Sequence, residues 1–136
     1  MKRTPLKRTP MRRKPARSGP VPPEVRSMVM LRHGGRCEGQ LDGICTKRAE
    51  EFHHRQSRSA SRNPHTVGNS AALCHACHHH ITHVSPADGR AKGLIVSRHF
   101  TGDPGTVPML IPDYGWALLT PRGTYIPAQP PEVTEP

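Results

Sequence analysis

The segment VGNSAALCHACHHHITH, residues 67–83 of this 136-residue chain, contains the clearest signals of secondary structure and of a metal site. Its first half is a short run of small and apolar residues, which predicts a buried strand. Its second half predicts a helix that ends before Pro86, because proline interrupts helical hydrogen bonding. Cys74 and Cys77 therefore lie where the strand passes into the helix, and a C-x2-C pair at a helix start presents both thiols on one side.

Two more cysteines, Cys37 and Cys45, lie upstream with seven residues between them. Two separated cysteine pairs suit a tetrahedral all-cysteine zinc site, whose predicted ligands are Cys37, Cys45, Cys74 and Cys77. Such a site contributes on the order of 10 kcal/mol to folding. The chain needs this contribution, because only 23 of its residues are Leu, Ile, Val or Phe, too few for a large hydrophobic core. The alternative is that the two pairs are unrelated reduced thiols.

The stretch Cys74-His-Ala-Cys77-His78 is partly similar to three other motifs, but the chain lacks a required feature of each. It matches the c-type haem attachment motif, but haem is attached outside the cytoplasm and the sequence shows no export signal. Nucleobase deaminases have a proline where this chain has Leu73, and a His-x-Glu upstream. The spacing of a C2H2 zinc finger is not met either. We therefore expect the reducing cytoplasm, in which the cysteines bind metal rather than form disulfides.

The formal net charge is +10, and most of it comes from the N-terminal end. Residues 1–17 hold eight bases and no acid, with proline at every fifth position. Proline at this density prevents helix and sheet, so residues 1–23 are predicted to be a disordered, extended arm. We expect its bases to contact DNA phosphates, an interaction that ignores sequence and weakens with salt; the alternative is a solvated tail without a role. The assigned residues are Lys2, Arg3, Lys7, Arg8, Arg12, Arg13 and Lys14.

The rest of the chain predicts a small α+β fold. Short helices are expected over residues 24–33, 75–83 and 87–92, and short strands over residues 49–55, 67–74, 94–96, 116–119 and 124–126. The predicted organisation is the arm 1–23, a domain 24–100 with the cysteines and histidines, a C-terminal β extension 101–126 and a disordered tail 127–136. No apolar run approaches the ~18 residues of a membrane span.

Three histidines and one asparagine follow an informative order. His53 and His54 end the first predicted strand, Asn69 lies fifteen residues beyond His54, and His78 lies nine residues further on the predicted helix. The pattern FHHR … N-x4-C-x2-CH resembles the HNH endonucleases, and specifically the small zinc-knuckle HNH proteins of bacteriophages. The similarity extends over the basic arm, the first cysteine pair and the segments SPADGRAKGLIV and GWALLTP. It implies a ββα-metal core, two short strands and a helix that bind one divalent ion, stapled by the four-cysteine zinc site.

The resemblance implies a role for each of these residues. His53 is a metal ligand, and His54 is the general base. Asn69 braces the loop between the strands and so orients the base, and His78 is the ligand on the helix. Phosphodiester hydrolysis independently needs an activated water, neutralised phosphate charge and help for a leaving alkoxide. A neutral histidine deprotonates water near pH 7, and the expected catalytic ion is Mg²⁺, Mn²⁺, Ni²⁺ or Zn²⁺.

The third ligand of this ion departs from the family pattern. Many HNH nucleases have another histidine four residues after the helix ligand, but here that position is Thr82. His83 follows at i+5, rotated by about 140° from the helix ligand. We predict His83 as the third ligand; the alternatives are a pairing of His79 with His83, or two histidines completed by water. Solvated helix-face positions are predicted for His75, His79 and His80, and no function for His33, His65 and His99.

Three arginines, Arg55, Arg58 and Arg62, follow the expected base in a polar loop. We expect them to bind phosphate, because a guanidinium binds it through two parallel hydrogen bonds; the alternative is a solvated loop. The prediction is a phage-type, metal-dependent HNH endonuclease that hydrolyses DNA phosphodiester bonds by nicking or double-strand cleavage. Two alternatives stay open: a non-catalytic, zinc-stabilised DNA-binding module, and a packaging accessory protein that acts beside phage terminase subunits. A pure binding module needs neither His54 nor Asn69.

Overall fold

The computed structural model describes residues 19–131. The arm residues predicted to contact DNA and the last five residues of the predicted tail lie outside this range. Within it, the chain forms three α-helices and five short β-strands. In chain order these are α1 (Pro23–Leu31), β1 (Glu51–His54), β2 (Ser70–Leu73), α2 (His75–His79), α3 (Pro86–Ala91), β3 (Met109–Ile111), β4 (Gly115–Leu119) and β5 (Tyr125–Pro127).

The strands form two small antiparallel sheets. β1 pairs with β2, with Phe52 opposite Ala72 and His53 opposite Ala71. β4 lies between β3 and β5 in the second sheet. The described chain is therefore a small mixed α+β fold, as the sequence predicts at this level. None of the described helices is long and apolar enough to cross a membrane.

The helix after β2 begins on a cysteine. The sulfur of Cys74 accepts the N–H of Cys77, which is the contact of an N-cap residue. α-Helical geometry ends at His79, and a π-helical turn, His80–Val84, continues the helix. α3 then starts at Pro86, since proline is well tolerated in the first turn of a helix. The predicted helix over residues 75–83 is thus present, with its second half wound more loosely.

The cysteines lie inside the main hydrophobic core. Cys37, Cys74 and Cys77 are fully buried. The apolar residues buried in the same cluster are Leu41, Ala71, Leu73, Ile81, Leu94, Met109, Ile111, Ala117 and Leu119. The three-stranded sheet therefore packs on the same core as the cysteines, and this core spans the predicted domain boundary at residue 100.

A buried carboxylate, Glu38, connects three parts of the chain. Arg32, directly after α1, donates to both of its oxygens at 2.8 Å. The hydroxyl of Tyr125 in β5 donates to Glu38 at 2.6 Å, and the N–H of Ala72 in β2 donates at 2.9 Å. Burial, followed by the charge of Glu38, raises the pKa of the Tyr125 phenol. These bonds hold α1, β2 and β5 around the cysteine core.

Residues 94–96, predicted as a strand, form a turn instead. The N–H of Leu94 bonds the carbonyl oxygen of Gly89 at 2.9 Å, which folds the chain back on the end of α3. The backbone passes through Gly93 with φ +71°, and a Cβ at this residue would collide with the carbonyl of Pro108. Only glycine tolerates both the positive φ and the close carbonyl, so Gly93 favours a turn at this point of the chain.

The remaining differences lie at the ends of elements and in the second sheet. The strand predicted over residues 67–74 starts only at Ser70, because the hydroxyl of Thr66 accepts the N–H of Asn69 and closes a 3-10 turn. β3 was not predicted, since its three residues are too few to show an alternating pattern. Pro127 belongs to β5, so the predicted tail begins later than residue 127.

Candidate functional site

Four thiols from two parts of the chain converge. Cys37 and Cys45 lie between α1 and β1, and Cys74 and Cys77 lie at the start of α2. All four cysteines are free, and their sulfur atoms lie within 4.8 Å of one another. A tetrahedral ion with bonds of about 2.3 Å to sulfur spaces its ligands about 3.8 Å apart. The Sγ atoms of Cys45 and Cys74 are 3.9 Å apart, so the cluster could hold a metal ion, as predicted.

The electrostatics of this cluster favour a bound cation. Burial raises the pKa of the Cys37 thiol and that of the Cys77 thiol. Burial opposes ionisation of Cys74 as well, but N–H groups of Thr46 and Cys77 donate to its sulfur and lower its pKa overall. Neighbouring thiolates repel one another, whereas a divalent cation holds its thiol ligands deprotonated. The donor set therefore fits a metal ion.

A second group of polar side chains lies where α2 contacts β1. His53 is buried, with 8% of its surface exposed, and its ring centroid lies 4.9 Å from that of His78. Glu51, two residues before His53 on β1, contacts Nδ1 of His78 through Oε2 at 2.5 Å. Its Oε1 contacts Nδ1 of His75 at 2.5 Å. The structure thus brings together His53 and His78, the two histidines assigned as ligands on β1 and α2.

Hydrogen bonds determine which ring nitrogens keep a lone pair. Nε2 of His53 lies 2.7 Å from the carbonyl oxygen of Leu94, and a carbonyl only accepts, so this nitrogen carries the proton. Burial lowers the pKa of His53 to about 4, so the ring is neutral at pH 7 and Nδ1 keeps its lone pair. When His78 is neutral, its Nδ1 donates to Glu51, so its Nε2 has the lone pair. Metal-binding histidines have this arrangement, with the second nitrogen donating to a carbonyl or carboxylate.

His54 is half-buried and held from two sides. Its ring packs edge-on against Phe52, with centroids 5.2 Å apart, and its Nε2 lies 3.0 Å from Nδ1 of His65. Burial, followed by the ring of His65 and two nearby arginines, lowers the pKa of His54 to about 4. The ring is therefore neutral at pH 7 and has a lone pair available for a proton. The two arginines are Arg26 and Arg58.

Asn69 is fully buried and ties down the loop between β1 and β2. Its Oδ1 accepts the N–H of Gln56 at 2.8 Å, and its Nδ2 donates to the carbonyl oxygens of Gln56 and Pro64, both at 3.1 Å. The carbonyl of Asn69 accepts the N–H of Arg55 at 2.7 Å. These bonds fix the chain directly after His54, which is the bracing position that the sequence assigns to Asn69.

His53 and His54 both line a cavity of about 450 Å³. Its other walls come from the π-helical turn, the start of α3 and the turn after α3. Two exposed arginines, Arg90 and Arg98, lie at this cavity and were not predicted as functional. The cavity therefore combines the two adjacent histidines with cationic side chains at its rim.

The predicted third ligand, His83, lies elsewhere. It is exposed, and its ring centroid is 5.0 Å from that of His79, the pairing that the sequence left as an alternative. Thr82, four residues after His78, takes the place on the helix face that meets the cavity. In the part of the chain that the structure describes, only the four cysteines form a converging group of three or more Cys, His, Asp or Glu ligands. The structure therefore does not bring His83 to the other two predicted ligands.

The structure does not bring Arg55 to a phosphate-binding position either. Arg55 is 1% exposed and belongs to the interior. A guanidinium has five N–H donors, and all five of those in Arg55 are used on backbone carbonyls. The acceptors are Gly93 at 2.8 Å, Gly68 at 2.9 Å, Pro104 at 3.2 Å, Val107 at 2.7 Å and Pro108 at 3.3 Å. This side chain joins the end of β1 to the segments that lead into β2 and β3.

The other two predicted phosphate ligands lie at the surface. Arg58 donates to the carbonyl oxygen of Gly19 at 2.9 Å, and its charge acts on His54. Arg62 lines a second cavity, of about 620 Å³, which shares Arg98 with the first. Both arginines are exposed, as contact with DNA requires.

Sequence reasoning missed four residues beside the histidines. Glu51 had a usable signal, since residues i and i+2 of a strand share a face and Glu51 precedes His53 by two. Arg90 and Arg98 are distant in sequence, and only the fold brings them to the cavity. His65, predicted to be non-functional, contacts the expected base, and nothing in its polar loop indicates this.

No protein-family model, no curated protein and no solved structure matches this chain. Its function is therefore inferred from its residues and their geometry.

Proposed function

We propose that this protein is a metal-dependent endonuclease of the HNH type that hydrolyses phosphodiester bonds of DNA. The observation that carries the proposal is the cavity that His53 and His54 share, with the ring of His78 4.9 Å from that of His53. Two histidines with ligating nitrogens, a neutral histidine beside them and cationic side chains at the rim supply what phosphodiester hydrolysis needs.

His53 and His78 are the proposed ligands of the catalytic ion, which is Mg²⁺, Mn²⁺, Ni²⁺ or Zn²⁺. Each ring has one nitrogen bonded to an acceptor, and its second nitrogen can bind an ion when the ring is neutral, which supports this assignment. An ion bound there supplies Lewis-acid stabilisation of the phosphate and of the leaving alkoxide. Water and substrate oxygens are the other proposed ligands, because His83 lies away from the cavity.

His54 is the proposed general base. Its lowered pKa keeps the ring neutral at pH 7, so the ring can accept the proton of the attacking water. Asn69 supports this role, because its three side-chain bonds hold the loop that follows His54. A base placed in this way contributes about 10²–10⁴-fold to the rate of a hydrolysis.

Cationic side chains are the proposed DNA contacts. Arg90 and Arg98 lie at the cavity, and Arg58 lies close enough to His54 to lower its pKa. Contacts of guanidinium with phosphate position the duplex without reading its sequence. The eight bases of residues 1–17 extend this interaction, and each bound base releases counterions from DNA.

The four-cysteine cluster is proposed to bind zinc in a structural role. If the four sulfur atoms bound a tetrahedral zinc ion, they would fill all four of its positions and leave none for water or substrate. Three of the four cysteines are fully buried in the main core. Zinc at this place stabilises the junction of β2 and α2, which carries the proposed ligand His78.

A zinc-stabilised DNA-binding module without catalysis is the second candidate. One observation favours it: in the described residues only two ligating histidines meet beside the cavity. Such a module would use the arm and the arginines in the same way. It would have no use for a neutral His54 followed by a loop that a buried asparagine holds.

A plasmid-nicking assay tests the proposal. The full-length, zinc-loaded protein is incubated with supercoiled plasmid and Mg²⁺, Mn²⁺, Ni²⁺ or Zn²⁺ in turn. We expect His54→Ala to lower the cleavage rate by about 10²–10⁴-fold, with DNA affinity and zinc content unchanged. His53→Ala removes a ligand, so a higher concentration of metal should restore part of its activity. His99→Ala, at an exposed histidine that does not line the cavity, is the matched control.

The outcomes separate the two candidates. Wild-type cleavage that is lost in His54→Ala and rescued by metal in His53→Ala would support the nuclease and the division of roles. Wild-type protein that binds plasmid but cuts it with none of the four metals would support the binding module. Full activity in a His54→Ala, His78→Ala double variant would contradict the assigned site.

A further inference from the structure

His65 connects the proposed base to the root of the basic arm through two hydrogen bonds. Nε2 of His54 lies 3.0 Å from Nδ1 of His65, and Nε2 of His65 lies 2.6 Å from the carbonyl oxygen of Gly19. The two rings are tilted by 52°, with centroids 5.1 Å apart. Gly19 is the first described residue, and the basic residues of the arm directly precede it in the chain.

The carbonyl at the end of this chain of hydrogen bonds determines every donor in it. A carbonyl oxygen only accepts, so Nε2 of His65 carries a proton. When the His65 ring is neutral, it has this single N–H, so Nδ1 of His65 has the lone pair and accepts. Nε2 of His54 must then be the donor, and the lone pair of a neutral His54 lies on Nδ1.

We propose that His65 is a positioning residue for His54: it selects the tautomer in which Nε2 is protonated and Nδ1 accepts the proton of the attacking water. Only this catalytic use rests on the proposed function, since the tautomer is a property of the folded protein. In a water-activating step, the O–H bond of water breaks and its proton passes to Nδ1. The resulting hydroxide oxygen forms a bond to phosphorus, while the bond from phosphorus to the leaving oxygen of the DNA sugar breaks and that oxygen departs as an alkoxide that takes up a proton from solvent.

No other contact in the described residues selects this tautomer. The ring of Phe52 packs edge-on against His54 but offers no hydrogen-bond acceptor. Asn69 holds the backbone beyond His54 and bonds Gln56 and Pro64, not the imidazole. In the described residues, the choice of tautomer therefore depends on His65, and through it on the carbonyl of Gly19.

The first test is a long-range ¹H–¹⁵N NMR spectrum of the full-length, ¹⁵N-labelled protein above about pH 7.5, where an ordinary histidine is neutral. The cross-peaks that join the two ring nitrogens to the carbon-bound protons Hδ2 and Hε1 distinguish an Nε2–H tautomer from an Nδ1–H tautomer. The signals of His54 are assigned by their absence in His54→Ala. We expect the Nε2–H pattern for His54. An Nδ1–H pattern, or an even mixture of the two, would overturn the inference.

Two substitutions at His65 separate hydrogen bonding from packing. His65→Ala removes the acceptor, so the His54 signals should move towards those of a tautomer mixture. His65→Asn keeps an acceptor oxygen near the position of Nδ1 and should retain the Nε2–H pattern. His99→Ala is the control and should leave the His54 signals unchanged. An unchanged tautomer in His65→Ala would overturn the inference even if that variant cuts DNA slowly.

The cleavage assay gives a second readout. His65→Ala should lower the single-turnover rate by roughly 10–100-fold, the usual effect of removing an orienting partner, with DNA affinity unchanged, and His65→Asn should recover most of the rate. If the tautomer changes as expected but the wild type does not cut DNA with any metal, the proposed nuclease fails and the positioning contact stands. If the wild type cuts DNA and His65→Ala cuts equally well, the catalytic part of the inference fails and the nuclease stands.

Two truncations test the link to Gly19. Removal of residues 1–18 leaves the carbonyl of Gly19 in place, so the tautomer of His54 should be retained although DNA binding weakens. Removal of residues 1–20 deletes this acceptor, and the His54 signals should then move towards the mixture. Equal spectra of the two truncated proteins would refute a role for Gly19.

Discussion

Replacing Arg55 by methionine tests whether this residue belongs to the DNA interface or to the interior. Methionine is long and apolar, so the change removes five hydrogen bonds with a modest change in volume. If Arg55 bound phosphate, its replacement would weaken DNA affinity and leave the stability of the fold unchanged. The structure predicts the opposite, because all five N–H groups bond backbone carbonyls and the side chain is 1% exposed.

The expected loss of stability can be worked from these contacts. Five backbone carbonyls lose their donor, and a typical buried hydrogen bond contributes about 1 kcal/mol net, more when one partner is charged. The lost bonds therefore amount to about 5 kcal/mol. Removal of the buried charge offsets part of this, since burial disfavours the cation and lowers the pKa of Arg55 to about 10. We expect a net loss of about 3–4 kcal/mol, a large part of the roughly 5–15 kcal/mol of a small domain.

Urea unfolding of the zinc-loaded protein, followed by circular dichroism, measures this loss. Arg62→Met is the matched control at an exposed arginine and should change the free energy of unfolding by less than about 0.5 kcal/mol. Arg55→Lys should lose nearly as much as Arg55→Met, because one ammonium has three donors at a single point and cannot reach five carbonyls. An Arg55→Met protein within about 1 kcal/mol of the wild type, but with DNA affinity reduced tenfold, would refute the reasoning.

Metal binding, the arm and Glu51 can be tested in the same protein. Cys74→Ser should lose zinc by elemental analysis and unfold without a cooperative transition; a metal-free, well-folded variant would contradict the structural site. Removal of residues 1–18 should weaken DNA binding on all sequences and reduce the salt slope by up to about 7; an unchanged slope would make the arm inert. Glu51 raises the pKa of His75, so NMR titration of Glu51→Gln should return it towards about 6.5. The stabilising effect of this contact is fully present below about pH 6.5, as long as Glu51 is ionised, and is lost as pH rises through the raised pKa of His75. The free energy of unfolding of Glu51→Gln should therefore fall most below about pH 6.5.

The four-cysteine cluster could be predicted from the sequence because few arrangements satisfy its chemistry. Four thiols in two pairs, in a chain with little apolar material, leave metal binding as the simplest way to hold a fold together. The junction of strand and helix at Cys74 was predictable for a similar reason. Both features depend on the spacing of nearby residues, which can be read directly from the sequence.

The roles of Arg55 and His83 could not be predicted in the same way. Arg55 stands in a polar loop sequence, and its burial depends on carbonyls from Gly68 and from residues 93–108 that only the folded chain brings together. The direction of His83 depends on a π-helical turn, which changes the face that each later residue occupies and has no clear signature in the sequence. Long-range backbone contacts and irregular helical winding therefore limit the prediction of the site more than residue identity does.

The position of Gly19 adds a physical link between the arm and the cavity. Its carbonyl accepts hydrogen bonds from His65 and from Arg58, and both of these side chains act on His54. The arm that precedes Gly19 therefore joins the described chain close to the proposed base. Under the proposed function, DNA phosphates bound to the bases of the arm would be tethered near the cavity. A short tether raises the effective concentration of a bound group at a nearby site. Under the proposed function, cleavage is then directed to whichever DNA the arm holds, so weak base recognition by the cavity is compatible with efficient cutting.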